Sequence, residues 1–262
     1  MPSSTERPGT GLVWRVERYP ELPSTMDLVR ERARAGAEEG LVVVAGRQTA
    51  GRGRHGRGWT SPVGNLYLTL LLRPSRSAIA VAGLALVAGL SLAEACTALG
   101  IPPGRLHLKW PNDLVLDGAK LAGILLESES GSGQQVEWVS IGMGVNVASA
   151  PVLPDRPSAA LTDLLPTAEP GALEALLLEH LARNYAAWRQ EGMAAITGRW
   201  STHGLPPGTP ILIRPGREVL SGTYVGIDGE GALLVDTGRL QRVTAGEVLF
   251  AGEALAGSAT TA

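Results

Sequence analysis

Between Gly46 and Asn65 the sequence GRQTAGRGRHGRGWTSPVGN sets Arg47, Arg52, Arg54, His55 and Arg57 among Gly46, Gly51, Gly53, Gly56 and Gly58. Glycine lets a backbone come close to a ligand and adopt positive φ. Arginine supplies a planar fork matched to phosphate or carboxylate oxygens. A loop between strands that an anion orders follows from those two properties. The segment is not a Walker loop and carries no strand-to-helix G-x-G-x-x-G. Alone, it fits an anion site and a solvated loop equally well.

A second group lies in KWPNDLVLDGAKLAGILLE, where Lys109, Asn112, Asp113 and Lys120 fall around two turns. A lysine is a compact charge suited to a developing oxyanion or a phosphoryl oxygen, and a nearby Asp can orient it or help hold a magnesium ion already bound to triphosphate. An ordinary hairpin with a solvated lysine has the same sequence. A third group is SIGMGVNV. With a two-residue period Ile141, Met143, Val145 and Val147 face one side, and Gly142, Gly144 and Asn146 the other. Bare backbone beside one amide admits a flat polar ligand, and tight packing against a helix equally. Together the three groups match what activation of a carboxylate by ATP requires: a cradled triphosphate, a carboxylate held against the α-phosphorus, and charge neutralised as pyrophosphate leaves.

These groups sit in a chain whose composition narrows the alternatives. The 262 residues predict one or two domains, and 44% hydrophobic against 18% charged residues supplies a sizeable core. A net charge of −2 argues against broad electrostatic binding of nucleic acid. The single Cys96 cannot staple the fold and reads as a small core residue. The four histidines fit no zinc spacing. MPSSTERPGTGL has no apolar signal core, and the uncharged run from Ser77 to Ala93 is shorter than the ~20 residues of a membrane span. A soluble protein outside the membrane is expected.

The positioning elements follow from periodicity. STMDLVRERARAGAEEG predicts a helix capped by Ser24 or Thr25 and ending near Gly36, and LVVVAG and NLYLTLLLR predict strands. One helix is expected from about Ser77 to Leu99. RLHLKW alternates, with Leu106, Leu108 and Trp110 on one side and His107 and Lys109 on the other, and Asp117-Gly118 reads as a hairpin turn. KLAGILLES and VEWVSIGMGVNV are further strands, residues 148–170 are irregular, and GALEALLLEHLARNYAAWRQ is an amphipathic helix. After Leu205, short strands predict a small closed barrel. The fold class is α+β: a mixed, largely antiparallel sheet with packed helices over residues 1–205, and a small C-terminal barrel over 206–262.

GRGRHGRGW, KWPND, GAKLAGILLE and IGMGVNV, in this order, with Ser24-Thr25 ahead of them, resemble the motifs of biotin protein ligases over roughly residues 20–150. The C-terminal segment resembles that family's SH3-like domain in pattern. The resemblance implies a core related to class II aminoacyl-tRNA synthetases and a two-step reaction. Biotin and ATP, with Mg2+ held mainly by the ATP phosphates, give biotinyl-5′-adenylate and pyrophosphate. Biotin then passes to a lysine on the biotin carboxyl carrier domain of acetyl-CoA carboxylase or another acyl-CoA carboxylase.

Carried over by motif, Lys120, Arg54 and Asp113 are the catalytic candidates. Ser24, Thr25, Gln48, Gly51, Arg52, Arg54, Lys120, Gly123 and Leu125 are biotin-side positions. Arg52, Arg54, His55, Trp59, Asn112, Lys120 and Asn146 are nucleotide-side positions. His55 stands where many members have a second Arg, and Met26 where an Asn is common. No winged helix-turn-helix precedes Ser24, so no DNA-repressor role is expected. A cytoplasmic monomer or homodimer is implied. Strict alternation sets Lys120 opposite Gly123 and Leu125, so the strand starts after Lys120, a bulge intervenes, or some contacts are made by backbone. Two rivals remain: a lipoate or octanoate ligase of the same superfamily, and an RNA-binding module. The acidic balance and the lack of aromatics among the arginines oppose the latter.

Overall fold

The computed structural model describes residues 12–131, 135–154, 156–214 and 219–249. A seven-stranded sheet organises the larger part. Its strands are β1 (Arg15–Tyr19), β2 (Leu41–Ala45), β3 (Leu66–Leu72), β4 (Leu106–Lys109), β5 (Asp113–Leu116), β6 (Ala119–Ser130) and β7 (Val136–Val145), in spatial order β1-β2-β3-β7-β6-β5-β4. Only β1 and β2 run parallel; the other neighbours are antiparallel. The sheet is therefore mixed and largely antiparallel, as expected.

Helices cover both faces. Helix α1 (Thr25–Arg34) packs Val29 and Ala33 with Leu41, Val43, Leu71 and Trp138. On the other face α3 (Leu84–Leu99), α4 (Pro170–Glu191) and α5 (Ala194–His203) share one core with Leu66, Leu68, Leu70 and Leu72. The alternation of β3 thus feeds two cores at once, its even-numbered leucines on one side and Leu71 on the other. The single helix expected over Ser77–Leu99 is two, α2 (Ala78–Ala82) and α3, divided at Gly83. A Cβ at Gly83 would lie 2.5 Å from the Met193 sulfur, so that junction is reserved for close packing. The stretch Ala78–Leu99 is long and apolar enough to cross a membrane, yet 67% of its apolar 18-residue segment is buried inside the protein, which makes it a core element. Cys96 is fully buried, and burial pushes its thiol up to about 12.

Strand β1 and helix α5 carried no assignment from the sequence. The first, RVERY, has no apolar alternation because it is an edge strand. The second buries only Ile196 and Trp200. Lys109, expected with His107 on a polar face, is 3% exposed, and His107 Nδ1 lies 3.2 Å from the Gly204 carbonyl. That face is covered where α5 leads into the C-terminal part.

The C-terminal part is a five-stranded antiparallel sheet: β8 (Pro210–Arg214), β9 (Leu220–Ile227), β10 (Leu233–Asp236), β11 (Leu240–Val243) and β12 (Glu247–Leu249), ordered β11-β10-β9-β8-β12. RLQRVTAGEVLF supplies two of these strands. Among the described residues β11 and β12 are the sheet's two ends, so the expected closure does not occur through strand pairing. The two parts are fastened together: Trp110 Nε1 donates to the Gly231 carbonyl at 3.0 Å, and a Cβ at Gly231 would sit 2.7 Å from Leu86.

Candidate active site

Five segments meet on the α1 face of the sheet: the start of α1, the Arg/Gly loop, the β4–β5–β6 hairpins with β7, the irregular stretch that holds Pro151, Leu153 and Arg156, and the beginning of β12. One cavity is lined from all five, by Thr25 and Gln48 at one end and by Arg54, Lys120, Arg156 and Glu247 at the other.

The first end is a fixed neutral network. The Gln48 side-chain carbonyl accepts from the Thr25 backbone N–H at 2.9 Å and from its hydroxyl at 3.1 Å. The Gln48 amide donates to Ser61 at 3.2 Å, and the Thr25 and Thr69 hydroxyls lie 2.7 Å apart. Ser24 is the N-cap residue of α1 without a side-chain capping bond, and it is buried against the cavity. Met26 lies against Gly142, where an added Cβ would meet its sulfur at 2.7 Å.

The second end is charged. The Lys120 ammonium donates to both Asp113 oxygens, at 2.8 and 2.9 Å, with the two side chains 18% and 12% exposed. Lys120 reaches this face because the β5–β6 ladder slips between Leu114 and Val115. Of the three sequence alternatives, the bulge is the one the structure adopts. It brings the Lys120 Nζ within 3.6 Å of the position a Gly123 Cβ would occupy. The Asp117-Gly118 turn that starts this strand has φ of 49° and 80°, the positive-φ pair of a tight hairpin.

Trp59 lies between the ends. Its ring covers the glycine-faced strands: a Cβ at Gly144 would meet its Nε1 at 2.4 Å, and one at Gly123 would meet the ring at 3.0 Å. The Lys120 ammonium sits 5.6 Å from the ring centroid, within cation–π range. Trp59 Nε1 and Asn146 Oδ1 are buried without a hydrogen-bond partner in the protein. The Asn146 amide donates to the Ala159 carbonyl at 3.1 Å, which leaves its oxygen as the acceptor at the wall. Buried polar atoms without partners are costly, so this donor and acceptor suit the polar groups of a ligand.

The loop itself is pinned at both ends. Arg52 pairs with Asp27 at 2.8 Å and Glu127 at 3.4 Å, the same carboxylates that hold Arg30. Arg54 donates to Asn112 Oδ1 at 2.9 Å and to the Gly246 carbonyl at 3.1 Å, while the Asn112 amide donates to the Ile124 carbonyl at 2.9 Å. Asn112 is thus a strut between Arg54 and β6. Arg57 forks onto both oxygens of Glu247, at 2.7 and 3.2 Å. Burial works to raise the Glu247 carboxyl, but Arg57, Arg156 and Lys109 outweigh it and hold it below the usual glutamate range.

Of the sequence candidates, Ser24, Thr25, Gln48, Arg52, Arg54, Trp59, Asn112, Asp113, Lys120, Gly123, Leu125 and Asn146 all line this cavity. Gly51 lies instead in the adjoining groove beneath Pro62 and Val63. His55 is exposed, has φ of 57°, and does not line the cavity. Arg57, Arg156 and Glu247 were missed. Arg57 shares the motif of Arg54, but Arg156 and Glu247 stand alone in segments with no periodic or motif signal. Among the described residues no group of three or more His, Cys, Asp or Glu could hold a metal.

Residues 19–146 match the Biotin/lipoate A/B protein ligase family and residues 210–250 the Biotin protein ligase C terminal domain. The chain is 42% identical to a biotin--[acetyl-CoA-carboxylase] ligase of Paracoccus denitrificans, over 80% of this chain and 90% of that one. It is 33% identical to the enzyme of that name from Mycobacterium tuberculosis, over 92% and 91%. The solved biotin protein ligase from Aquifex aeolicus, in complex with biotin and ATP, superposes with a TM-score of 0.77 at 26% identity, covering 89% of this chain and 97% of that one. With its motifs gathered in one cavity and relatives matched over nearly their full length, the chain belongs to the biotin protein ligase family.

Proposed function

We propose that the chain activates biotin with ATP and transfers it to a lysine of a carboxylase's biotin carrier domain. The observation that carries this reading is the polarity of one cavity: a neutral network of Thr25, Gln48 and Thr69 at one end, and four cations against two carboxylates, Asp113 and Glu247, at the other. A neutral ring system with an acid tail, joined to a nucleotide, has that distribution of charge. Lipoate shares that charge pattern, but its dithiolane ring carries no N–H or carbonyl to meet Thr25 and Gln48, whereas the ureido ring of biotin does.

In this reading residues 1–205 form the catalytic part and 206–262 the C-terminal part. Thr25 and Gln48 orient the biotin ring system, and Trp59, packed on Gly123 and Gly144, lies on the nucleotide side. Magnesium enters as part of the Mg–ATP substrate. A biotin carboxylate oxygen bonds to the α-phosphorus as the bond to the α,β-bridging oxygen breaks, and that electron pair leaves with pyrophosphate. Lys120 lies beside the reacting carboxylate and α-phosphate and offsets their charge, with Asp113 fixing its position. Arg54, held by Asn112 and the Gly246 carbonyl, closes the loop over the product. In the second step the neutral acceptor amine attacks the acyl carbon and AMP leaves. No side chain acts as a covalent nucleophile.

The test is transfer itself. With ATP, magnesium, biotin and a biotin carboxyl carrier domain, mass spectrometry should show one biotinyl group on the carrier, and lipoate in place of biotin should give none. Equal modification by lipoate would overturn the substrate assignment.

A further inference from the structure

Asn65 closes the Arg/Gly-rich run of the sequence, yet it does not line the cavity. It is 4% exposed. Its Oδ1 accepts from three successive backbone N–H groups, those of Val147 at 2.8 Å, Ala148 at 2.9 Å and Ser149 at 3.2 Å. Its amide donates to the Ser149 carbonyl at 2.9 Å. One asparagine therefore holds the turn that follows β7. The approach is close: a Cβ on Gly64 would lie 3.0 Å from the Ala148 Cβ.

That turn begins at Asn146. Pairing of β3 with β7 ends at Leu66 and Val145, so Asn65 and Asn146 are the next residues outward on the two strands. The Asn146 N–H donates to the Leu121 carbonyl at 2.9 Å, and its own carbonyl accepts from the Leu161 N–H at 3.0 Å. Its side-chain amide donates to the Ala159 carbonyl, which leaves Oδ1 as the one polar atom of the residue without a partner in the protein. An asparagine oxygen so placed has a local remedy: it can accept the backbone N–H two residues on and form an Asx turn. For Asn146 that donor is the Ala148 N–H, and Asn65 already holds it. The Val147 and Ser149 N–H groups on either side are held by the same oxygen. The turn is satisfied from outside, and the Asn146 oxygen stays bare at the cavity wall.

We propose that Asn65 is a positioning residue for nucleotide binding: by occupying the donors of the turn, it keeps Asn146 Oδ1 free to accept from ATP. The inference rests on the ligase reading, in which ATP fills the Asn146 side of the cavity. An amide oxygen only accepts, and the phosphates carry no donor, so its partner is the nucleoside. Without Asn65, the Ala148 N–H is released and Asn146 closes onto it, which withdraws the acceptor from the ligand. Asn65 thus acts on ATP through Asn146 and touches neither substrate.

The test is a double-mutant cycle in the full chain, read by exchange of labelled pyrophosphate into ATP: the unmodified protein, Asn65→Ala, Asn146→Ala and the double variant. Asn65→Ala should raise the KM for ATP by about tenfold, the scale of one hydrogen bond to a buried group, and so should Asn146→Ala. In the Asn146→Ala background the change at Asn65 should add less than about twofold. Asn65→Asp keeps an oxygen for the three N–H groups and should restore most of the ATP affinity, although it loses the bond to the Ser149 carbonyl. Biotin affinity by calorimetry should stay at the unmodified level in every variant. Effects that multiply in the double variant, or an Asp variant no better than Ala, would overturn the role. So would a fall in biotin affinity that tracks the rise in KM, the sign of a general loosening of the sheet. Absence of exchange in the unmodified chain would instead overturn the ligase reading, and the positioning role with it.

Discussion

At the α1 end of the cavity, Thr25, Gln48, Ser61 and Thr69 are bonded to one another through neutral donors and acceptors, and the floor is glycine backbone under Met26 and Trp59. At the opposite end Arg54 and Arg57 of one loop converge with Lys120 and Arg156 from two other segments, held by Asp113, Asn112, Glu247 and the Gly246 carbonyl. The neutral end is shape and fixed hydrogen bonds. The charged end is an excess of cations in a chain with net charge −2. Recognition and chemistry are thereby separated along one cavity: the first end selects a ring system, and the second stabilises charge that grows during the reaction.

That separation breaks first at Lys120. Lys120→Ala should slow formation of biotinyl-adenylate in single turnover by about 3 kcal/mol, the scale of losing one preorganised donor. Biotin affinity should fall far less, and a loss confined to affinity would reverse the roles of the two ends. At the neutral end, Gly144→Ala places a methyl 2.4 Å from the Trp59 indole nitrogen. Thermal unfolding should then show stability lowered by about 1–3 kcal/mol, the range of an overpacked core. Gly142→Ala, facing the flexible Met26 thioether, should cost less.

Smaller effects belong to the clasp joining loop and C-terminal sheet. Arg54→Gly removes the contacts to Asn112 and Gly246, so a severalfold larger share of adenylate should appear free in solution after single turnover. An unchanged free fraction would show that Arg54 does not retain the product. Glu247→Gln should lower thermal stability by more than the ~1 kcal/mol of the half-exposed Arg57 pair, because it also removes the carboxylate facing the 6% exposed Arg156. The Glu247 carboxyl titrates below its unfolded value. Its contribution is therefore complete above the ordinary glutamate range and is lost as pH falls through the lowered value. The Gln variant should lack that acid-side component in its melting profile.

The neutral end was largely legible in the sequence. A two-residue period places Gly142 and Gly144 on one face, whereas Ser24-Thr25 and Gln48 follow only from the family resemblance. The charged end was legible only in part. Lys120, Asp113 and Asn112 fall within one double hairpin, but the face of Lys120 depends on a slip opposite Leu114 and Val115 that no residue type announces. Arg156 and Glu247 come together with Arg57 through tertiary packing, with Glu247 190 residues away from Arg57 along the chain, and neither lies in a patterned segment. In the fold, β1 was hidden by the charged composition of an edge strand and α5 by its two-residue buried face. The break at Gly83 packs against Met193, which precedes α5.

The most direct measurement is exchange of labelled pyrophosphate into ATP by the unmodified chain, with and without biotin. If the neutral end seats biotin so that the charged end can join it to the α-phosphate, exchange will be strong with biotin and absent without it. Exchange indifferent to biotin, or none under either condition, would contradict the account.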